Sequence, residues 1–254
     1  MAMFNSGEMY HIGLRPSDGA KAAIICGDPG RVEGIARLMD EPTFVASKRE
    51  YTTFASKLNG ERVLVTSHGI GGPSTAICLE ELRMIGVETV IRVGTCGGMA
   101  MDVKAGDLVI AQAAIRAEGT SREYLPIEFP ACADFEVTLA LREAARSMDK
   151  GCHVGVVHCK DSFYGQHSPE RMPVSDELLN KWKAWIKGGC LASEMETAAL
   201  FTVSATLGMR SGAVLRSVWN QERVNAGITD PDDGDILSAA RCAVEAVKLL
   251  YKVK

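Results

Sequence analysis

The sequence predicts an α/β fold in which a central mixed β-sheet is flanked by helices. Short β-branched apolar segments alternate along the chain with longer amphipathic segments, which is typical of buried strands joined by covering helices. An Asn59-Gly60 pair between two apolar segments is a strong β-hairpin signal, so at least two strands are antiparallel. We expect residues 1–254 to form a single domain, since α/β folds of this length often do.

The pattern of apolar and polar residues assigns most of the chain to strands and helices. The predicted strands are Ala22–Cys26, Tyr51–Leu58, Arg62–Thr66, Thr89–Val93, Asp107–Ala113, Cys152–His158 and Gly212–Val218. The predicted helices are Arg31–Met39, Ser74–Ile85, Asp134–Met148, Asp176–Trp185, Glu194–Leu207 and Asp235–Tyr251.

Charge and hydropathy exclude several classes of protein. The chain has 28 basic and 32 acidic side chains, a net charge of −4 and 46% hydrophobic residues, which argues against disorder and against a mainly electrostatic nucleic-acid binder. It has no apolar run of about 18 residues, and its first ten residues have no signal-peptide pattern. We therefore expect a cytoplasmic protein with neither a membrane nor a nucleic acid as partner.

The eight cysteines include no C-x-x-C pair, and several lie in apolar runs, so we expect free thiols in a reducing compartment. His153, His158 and Cys159 are close in sequence, but their spacing matches no ordinary zinc pattern. The sequence therefore predicts no transition metal.

Two glycine-rich segments could bind an anion. In the first, Gly27 follows a strand, Asp28 can cap the next helix, and Arg31 adds donors; a capped turn with a solvated arginine is the alternative. In the second, Arg92 lies inside an apolar strand that we expect to end in a glycine-rich turn carrying Thr95. A buried arginine needs a partner, which is either an acidic side chain or a bound oxyanion.

A third segment contains two carboxylates ahead of an apolar helix. Ser193 and Glu196 have the S-x-x-E spacing of a capping box, and the residues alone favour this structural interpretation. Glu194 is then left over in an apolar neighbourhood. Carboxylates pointing into a cleft could alternatively accept hydrogen bonds from a vicinal diol, as on a ribose.

Together these segments resemble the nucleoside phosphorylase family, closest to its uridine phosphorylases. The resemblance runs from Tyr10 to the last helix and rests on the motifs Gly27–Arg31, Ser47–Thr53, Gly69–Ser74, Arg92–Thr95 and Glu194–Glu196. It implies a fold of nucleoside phosphorylase type with a partly barrel-like sheet. The implied reaction cleaves the N-glycosidic bond of a nucleoside with inorganic phosphate, gives ribose 1-phosphate, and needs no organic cofactor.

The resemblance also implies site residues. Those for phosphate are Gly27, Arg31, Arg92 and Thr95, with Arg49 from a neighbouring subunit; Arg31, Arg92 and Arg49 would be catalytic. Those for ribose are Glu194, Met195 and Glu196, with His11 from the neighbour. Those for the base are Phe163, Gln166 and Arg171, and a potassium ion would be held by Glu50, Ile70 and Ser74. Active sites of this kind are shared between subunits, so we expect a homo-oligomer, a hexamer built as a trimer of dimers.

The base-binding residues depart from the uridine phosphorylase pattern. Ser168 stands where an arginine is often found two residues after the glutamine, so Arg171 is the expected substitute. Gln221 also stands where an arginine often follows the asparagine, which leaves the exact base selectivity open. We predict uridine as substrate, with deoxyuridine and thymidine as further candidates. The rivals are a purine nucleoside phosphorylase, disfavoured because no Ser-Asp pair follows Val214–Val218, a nucleosidase, and a non-catalytic nucleoside-binding relative.

Overall fold

A computed structural model describes residues 7–231 and 233–251. Its strands are β1 (Ala22–Cys26), β2 (Asp40–Lys48), β3 (Tyr51–Leu58), β4 (Glu61–Ser67), β5 (Thr89–Gly98), β6 (Leu108–Ala117), β7 (Ala131–Cys132), β8 (Cys152–Lys160), β9 (Ala192–Glu194) and β10 (Arg210–Asn220). Its α-helices are α1 (Val32–Ala36), α2 (Gly72–Met84), α3 (Thr120–Tyr124), α4 (Phe135–Arg146), α5 (Phe163–His167), α6 (Ser175–Lys187), α7 (Thr197–Thr206), α8 (Gln221–Asn225) and α9 (Ser238–Leu250).

The sheet is mixed and partly closed. Its strand order is β10-β6-β8-β9-β5-β1-β4-β3-β2, and β10 also pairs with β5. The strands β5, β9, β8, β6 and β10 therefore close into a ring, from which β1, β4, β3 and β2 extend as an open sheet. Strand β1 is parallel to β4 and β5, whereas β10 is antiparallel to β6. The predicted mixed, partly barrel-like sheet is confirmed.

The predicted hairpin is also confirmed. Strands β3 and β4 pair antiparallel, with Leu58 opposite Glu61. Asn59 and Gly60 have φ values of 52° and 85°. Positive φ at both central residues is what a two-residue type I′ turn requires, which explains the choice of this dipeptide.

Two strands differ from expectation. Strand β2 lacks a predicted counterpart because it lies at the edge of the sheet, where none of its residues is fully buried and no hydrophobic alternation marks it. Strand β5 does not end in a turn after Val93 but continues to Gly98, because Gly94–Gly98 pair with β10. The glycine-rich segment therefore forms part of the barrel wall.

The six predicted helices are present with shifted ends, whereas the short helices α3, α5 and α8 were not predicted. Asp28 caps a short 3-10 helix, Pro29–Arg31, by accepting a hydrogen bond from the N–H of Gly30 at 2.8 Å, and α1 follows directly. Helix α1 is shorter than the predicted Arg31–Met39, and α7 begins at Thr197 because residues 192–194 form β9. In the described part of the chain, no helix has both the length and the apolar character needed to span a bilayer.

The central strands of the sheet are buried on both faces. In β1, Ala23 and Ile25 pack in one apolar cluster and Ile24 packs in the other. Helices α2 and α7 contribute to the first cluster, and α1, α4 and α9 contribute to the second. Because β1 is parallel to β4 and β5, the carboxyl ends of these strands meet at one edge of the sheet, the usual place for a ligand site in an α/β fold.

Candidate active site

A cavity of about 730 Å³ opens at this edge of the sheet. The predicted site residues that line it are Gly27, Arg31, Arg92, Thr95, Phe163, Gln166, Glu194, Met195 and Glu196, together with Glu50 and Ile70. Segments that are more than one hundred residues apart in sequence thus contribute to one wall. The clustering that the motifs implied is present in the folded chain.

Arg92 lines the cavity, and its side chain is buried. Its Nη1 is 3.2 Å from Glu194 Oε2, and its Nη2 forms a direct hydrogen bond to Glu196 Oε2. Burial lowers the pKa of Arg92, but the charges of Glu196 and Glu194 outweigh it and hold the pKa above its usual value. Of the two partners considered from sequence, acidic side chains are therefore present. A Cβ at Gly94 would lie 2.5 Å from the Arg92 Nη1, so glycine leaves room for the guanidinium.

The capping-box prediction for the third segment is wrong. Ser193 lies in β9, and the carboxylate of Glu194 instead accepts hydrogen bonds from the backbone N–H groups of Glu196 at 2.9 Å and Thr197 at 3.0 Å. Glu194 thus caps α7 and pairs with Arg92 at the same time. The S-x-x-E spacing gave a wrong prediction because it does not show which of the two glutamates accepts hydrogen bonds from the first N–H groups of α7.

Glu196 is held at both carboxylate oxygens. Its Oε1 accepts a hydrogen bond from the N–H of Gly71 at 2.7 Å, and its Oε2 contacts Arg92. Burial raises the pKa of Glu196, but the Arg92 charge and the hydrogen bond from the Gly71 N–H, with contributions from nearby cationic groups, together outweigh burial and leave the pKa lowered. An ionised carboxylate therefore lines the cavity at a fixed position, where it can accept hydrogen bonds from hydroxyl groups.

Arg31 is the more accessible cation of the cavity. Its side chain is 32% exposed, and its Nε is 3.8 Å from Asp28 Oδ2. A contact of this length leaves most guanidinium N–H groups able to bind another anion. Gly27 and Thr95 line the same cavity, which gives this end the donors that a phosphate requires.

Phe163 and Gln166 lie on α5 at the other end of the cavity. Ser162 caps this short helix by accepting a hydrogen bond from the N–H of Gly165 at 2.9 Å. Gln166 Oε1 accepts a hydrogen bond from Ser193 Oγ at 2.7 Å, and Gln166 Nε2 donates to Gln221 Oε1 at 3.3 Å. The ring of Phe163 is 51% exposed, so an aromatic face and an oriented amide are presented together.

Arg171 does not line the cavity with Gln166 as expected. It ends a short 3-10 helix, Pro169–Arg171, and its guanidinium lies 5.7 Å from the ring centroid of Tyr164. The turn after Ser168 directs Arg171 onto this aromatic ring, so the two side chains do not converge on the cavity of the single chain.

Arg49 and His11 also lie outside the lining of the cavity of their own chain. Arg49 is an exposed residue at the tip of the β2–β3 turn, with a φ of 56°. The Nδ1 of His11 is 2.7 Å from Glu81 Oε1, and the same carboxylate accepts a hydrogen bond from the N–H of Ile12 at 2.8 Å. Glu81 was not identified from sequence, although an acidic residue between the apolar residues of α2 was a signal.

Sequence reasoning also missed several residues that line the cavity near Gln166. These are Lys160, Ser193 in its observed role, His167 and Trp219. Lys160 carried a signal similar to that of Arg92, because it is a charged residue that directly follows an apolar strand segment. The ring of His167 lies 4.2 Å from that of Phe163 and 5.3 Å from that of Trp219, so these aromatic groups form one cluster.

Buried histidines make the stability of this region dependent on pH. Burial, aided by the Arg92 charge, lowers the pKa of His68 to about 4, from about 6.5 in the unfolded chain. Between these values the unfolded state binds more protons, so the free energy of unfolding should fall as the pH falls. For His68 we expect a loss of about 2 kcal/mol between pH 7 and pH 5, measurable by urea unfolding.

The matched control for this pH effect is His68→Gln. This variant should lose less stability than the wild type over the same pH range, because one titrating group has been removed. His158, whose pKa burial lowers to about 3, contributes with the same sign in both proteins. Equal pH slopes for the two proteins would contradict the assignment.

Comparison with known proteins identifies the class. Residues 21–251 match the family model described as the phosphorylase superfamily. The chain therefore belongs to the phosphorylase superfamily. It is 54% identical to a uridine phosphorylase of Treponema pallidum, covering 95% of this chain and 93% of the relative. It is 41% identical to a uridine phosphorylase of Escherichia coli, over 97% and 99%. It is 39% identical to a guanosine phosphorylase of Halorubrum lacusprofundi, over 88% of each chain.

Proposed function

We propose that this protein is a uridine phosphorylase, which transfers the ribosyl group of uridine to inorganic phosphate and releases uracil. The observation that carries the proposal is that Arg31, Glu196 and Gln166, which have different functional groups, all line one cavity. A cation for phosphate, a carboxylate for hydroxyl groups and an amide for a base edge are what a nucleoside and phosphate need. The similarity to uridine phosphorylases over nearly the whole chain supports the same substrate.

The residue types suit the charge changes of the reaction. Glycosidic cleavage passes through an oxocarbenium-like transition state, so positive charge grows on the sugar while the leaving base becomes electron-rich. Phosphate below the ring serves as nucleophile and as counter-charge. Arg31 and Arg92 would hold this dianion in line with the bond that breaks, with Gly27 and Thr95 adding hydrogen bonds.

The sugar and the base would occupy the remaining part of the cavity. Glu196 would accept hydrogen bonds from the ribose hydroxyls, beside Met195. Glu194 would act indirectly, since its carboxylate is already used by Arg92 and by the end of α7. Phe163 would pack on the sugar and base, and Gln166 would bind the uracil edge.

We propose that the active site is completed by a second copy of the chain in a hexamer. Arg49 and His11 are accessible in the single chain and lie away from its cavity, which fits residues that serve a neighbouring subunit. Glu50 lines the cavity beside Arg49, and its Oε1 accepts a hydrogen bond from Ser74 Oγ at 3.0 Å. These hard oxygen atoms, with Ile70, would suit a structural potassium ion between subunits.

The wider setting is part of the same proposal. Residues 1–254 would act as one nucleoside phosphorylase domain in pyrimidine salvage. All eight cysteines are free thiols, and most are buried, which supports a reducing compartment such as the cytoplasm.

A substrate panel tests the proposed function. The protein is incubated with uridine, deoxyuridine, thymidine, inosine or guanosine, with and without phosphate, and base release is followed by ultraviolet absorbance. We expect uracil release that depends on phosphate. Purine release in place of uracil would assign a purine enzyme, cleavage without phosphate a nucleosidase, and no release a binding protein.

A further inference from the structure

Lys160 is a buried cation at the base end of the active-site cavity. It is the last residue of β8 and is 8% exposed. It lines the active-site cavity and also a neighbouring apolar cavity of about 680 Å³ that contains Trp182 and Trp185. Burial of an ammonium group is unfavourable without compensation, so its presence in this wall needs an explanation.

The contacts of Lys160 connect it to the base-binding amide. Its Nζ donates hydrogen bonds to Ser193 Oγ at 2.9 Å and to the carbonyl oxygen of Glu194 at 3.4 Å. Ser193 Oγ in turn donates to Gln166 Oε1 at 2.7 Å. Among residues 7–231 and 233–251, no carboxylate oxygen is within 4.0 Å of the Lys160 Nζ. One N–H of the ammonium group therefore remains available to a ligand at Gln166.

The arginines of this region are engaged elsewhere. Arg92 contacts the carboxylates of Glu194 and Glu196, and Arg171 lies over the ring of Tyr164. Arg31 belongs to the glycine turn after β1, next to Asp28. Within the part of the chain that the structure describes, Lys160 is thus the cation that is connected to Gln166 by hydrogen bonds, through the hydroxyl group of Ser193.

The leaving group creates a need for such a cation. When the bond between C1′ of the sugar and N1 of uracil breaks, its electron pair stays on the base, while a phosphate oxygen forms the new bond to C1′. The negative charge then spreads onto the carbonyl oxygens of uracil. A donor in a buried site stabilises that charge more strongly than one in water.

We propose that the Lys160 ammonium binds a carbonyl oxygen of the base and stabilises the departing uracil anion, in the place of an arginine. This inference rests on the proposed function. Lys160 transfers no proton in this step and remains an ammonium group throughout. Burial lowers its pKa while the Glu194 charge opposes that shift, and negative charge developing on the base favours the ammonium form further.

The test compares leaving groups on one enzyme preparation. Uridine and 5-fluorouridine differ in the acidity of the released base, and the more acidic 5-fluorouracil needs less help to depart. We expect Lys160→Met to lower kcat/KM for uridine by about 100-fold and that for 5-fluorouridine by several-fold less, with KM for phosphate nearly unchanged. Any loss of folded protein lowers kcat/KM for both substrates equally and therefore cancels from the ratio of the two kcat/KM values.

Further variants control this experiment. Lys160→Arg should restore part of the uridine activity. Lys57→Met removes an exposed lysine that pairs with Glu41 and lines neither of these two cavities, and it should change the activity on neither substrate. Equal losses for both substrates in Lys160→Met, or the selective loss appearing in Arg171→Met instead, would overturn the inference while the proposed function stands. Failure of the wild-type chain to release uracil would overturn the proposed function and this inference with it.

Discussion

Replacement of Arg92 by alanine is expected to abolish phosphate-dependent base release and to lower the free energy of unfolding by about 3–5 kcal/mol. The guanidinium contacts two buried carboxylates, those of Glu194 and Glu196, and its removal leaves both without their cation. Urea unfolding measures the stability, and phosphate-dependent release of uracil measures the activity. Normal turnover in the variant would remove Arg92 from the site.

A compensated variant separates these two effects. Arg92→Met combined with Glu194→Gln and Glu196→Gln removes the unpaired charges and should recover part of the stability without recovering activity. Arg37→Ala is the surface control, because Arg37 is an exposed residue at the C-terminal end of α1 and pairs with Glu33 of the same helix. Its effect on the free energy of unfolding should stay within about 0.5 kcal/mol.

Replacement of Arg31 by alanine is expected to cost activity without costing stability. Arg31 is partly exposed and its nearest described carboxylate, Asp28, is 3.8 Å away, so little folding energy depends on it. We expect kcat/KM for phosphate to fall by about 100-fold, since a donor to the transition-state anion is lost. The measurement is the initial rate as a function of phosphate concentration.

The conservative variant and a stability measurement complete this test. Arg31→Lys should keep part of the phosphate affinity, because the charge remains while the bidentate geometry is lost. The free energy of unfolding of both variants should match that of the wild type within about 0.5 kcal/mol. Unchanged saturation by phosphate in Arg31→Ala would contradict the assignment of this end of the cavity.

Much of the fold could be predicted because its central elements are buried on one or both faces. Strand β1 is a continuous apolar run, and Asn59-Gly60 has the backbone preference that its turn demands. Strand β2 could not be predicted, since an edge strand without a buried face has no hydrophobic period. The extension of β5 through its glycines depends on pairing with β10, which local sequence does not encode.

The positions of site residues could be predicted where a local motif fixes the backbone. They could be predicted less well where tertiary contacts determine the direction of a side chain. Asp28 caps the turn before Arg31 as its sequence position indicates. By contrast, Ser193 has the spacing of a cap but bonds Lys160 and Gln166, because β9 places it between β8 and β5. The direction of Arg171 depends on an aromatic contact with Tyr164, which spacing alone does not reveal.

The three-residue strand β9 lies between β5 and β8 in the wall of the cavity. Adjacent residues of this strand have different partners, since Ser193 donates a hydrogen bond to the Gln166 side chain and Glu194 pairs with Arg92. Inserting or deleting one residue in this segment would turn the side chains of Ser193 and Glu194 to the opposite faces of the sheet. Under the proposed function, engineering of altered nucleobase preference should therefore substitute residues on α5 and leave β9 intact, so that the contacts of Glu194 with Arg92 are kept.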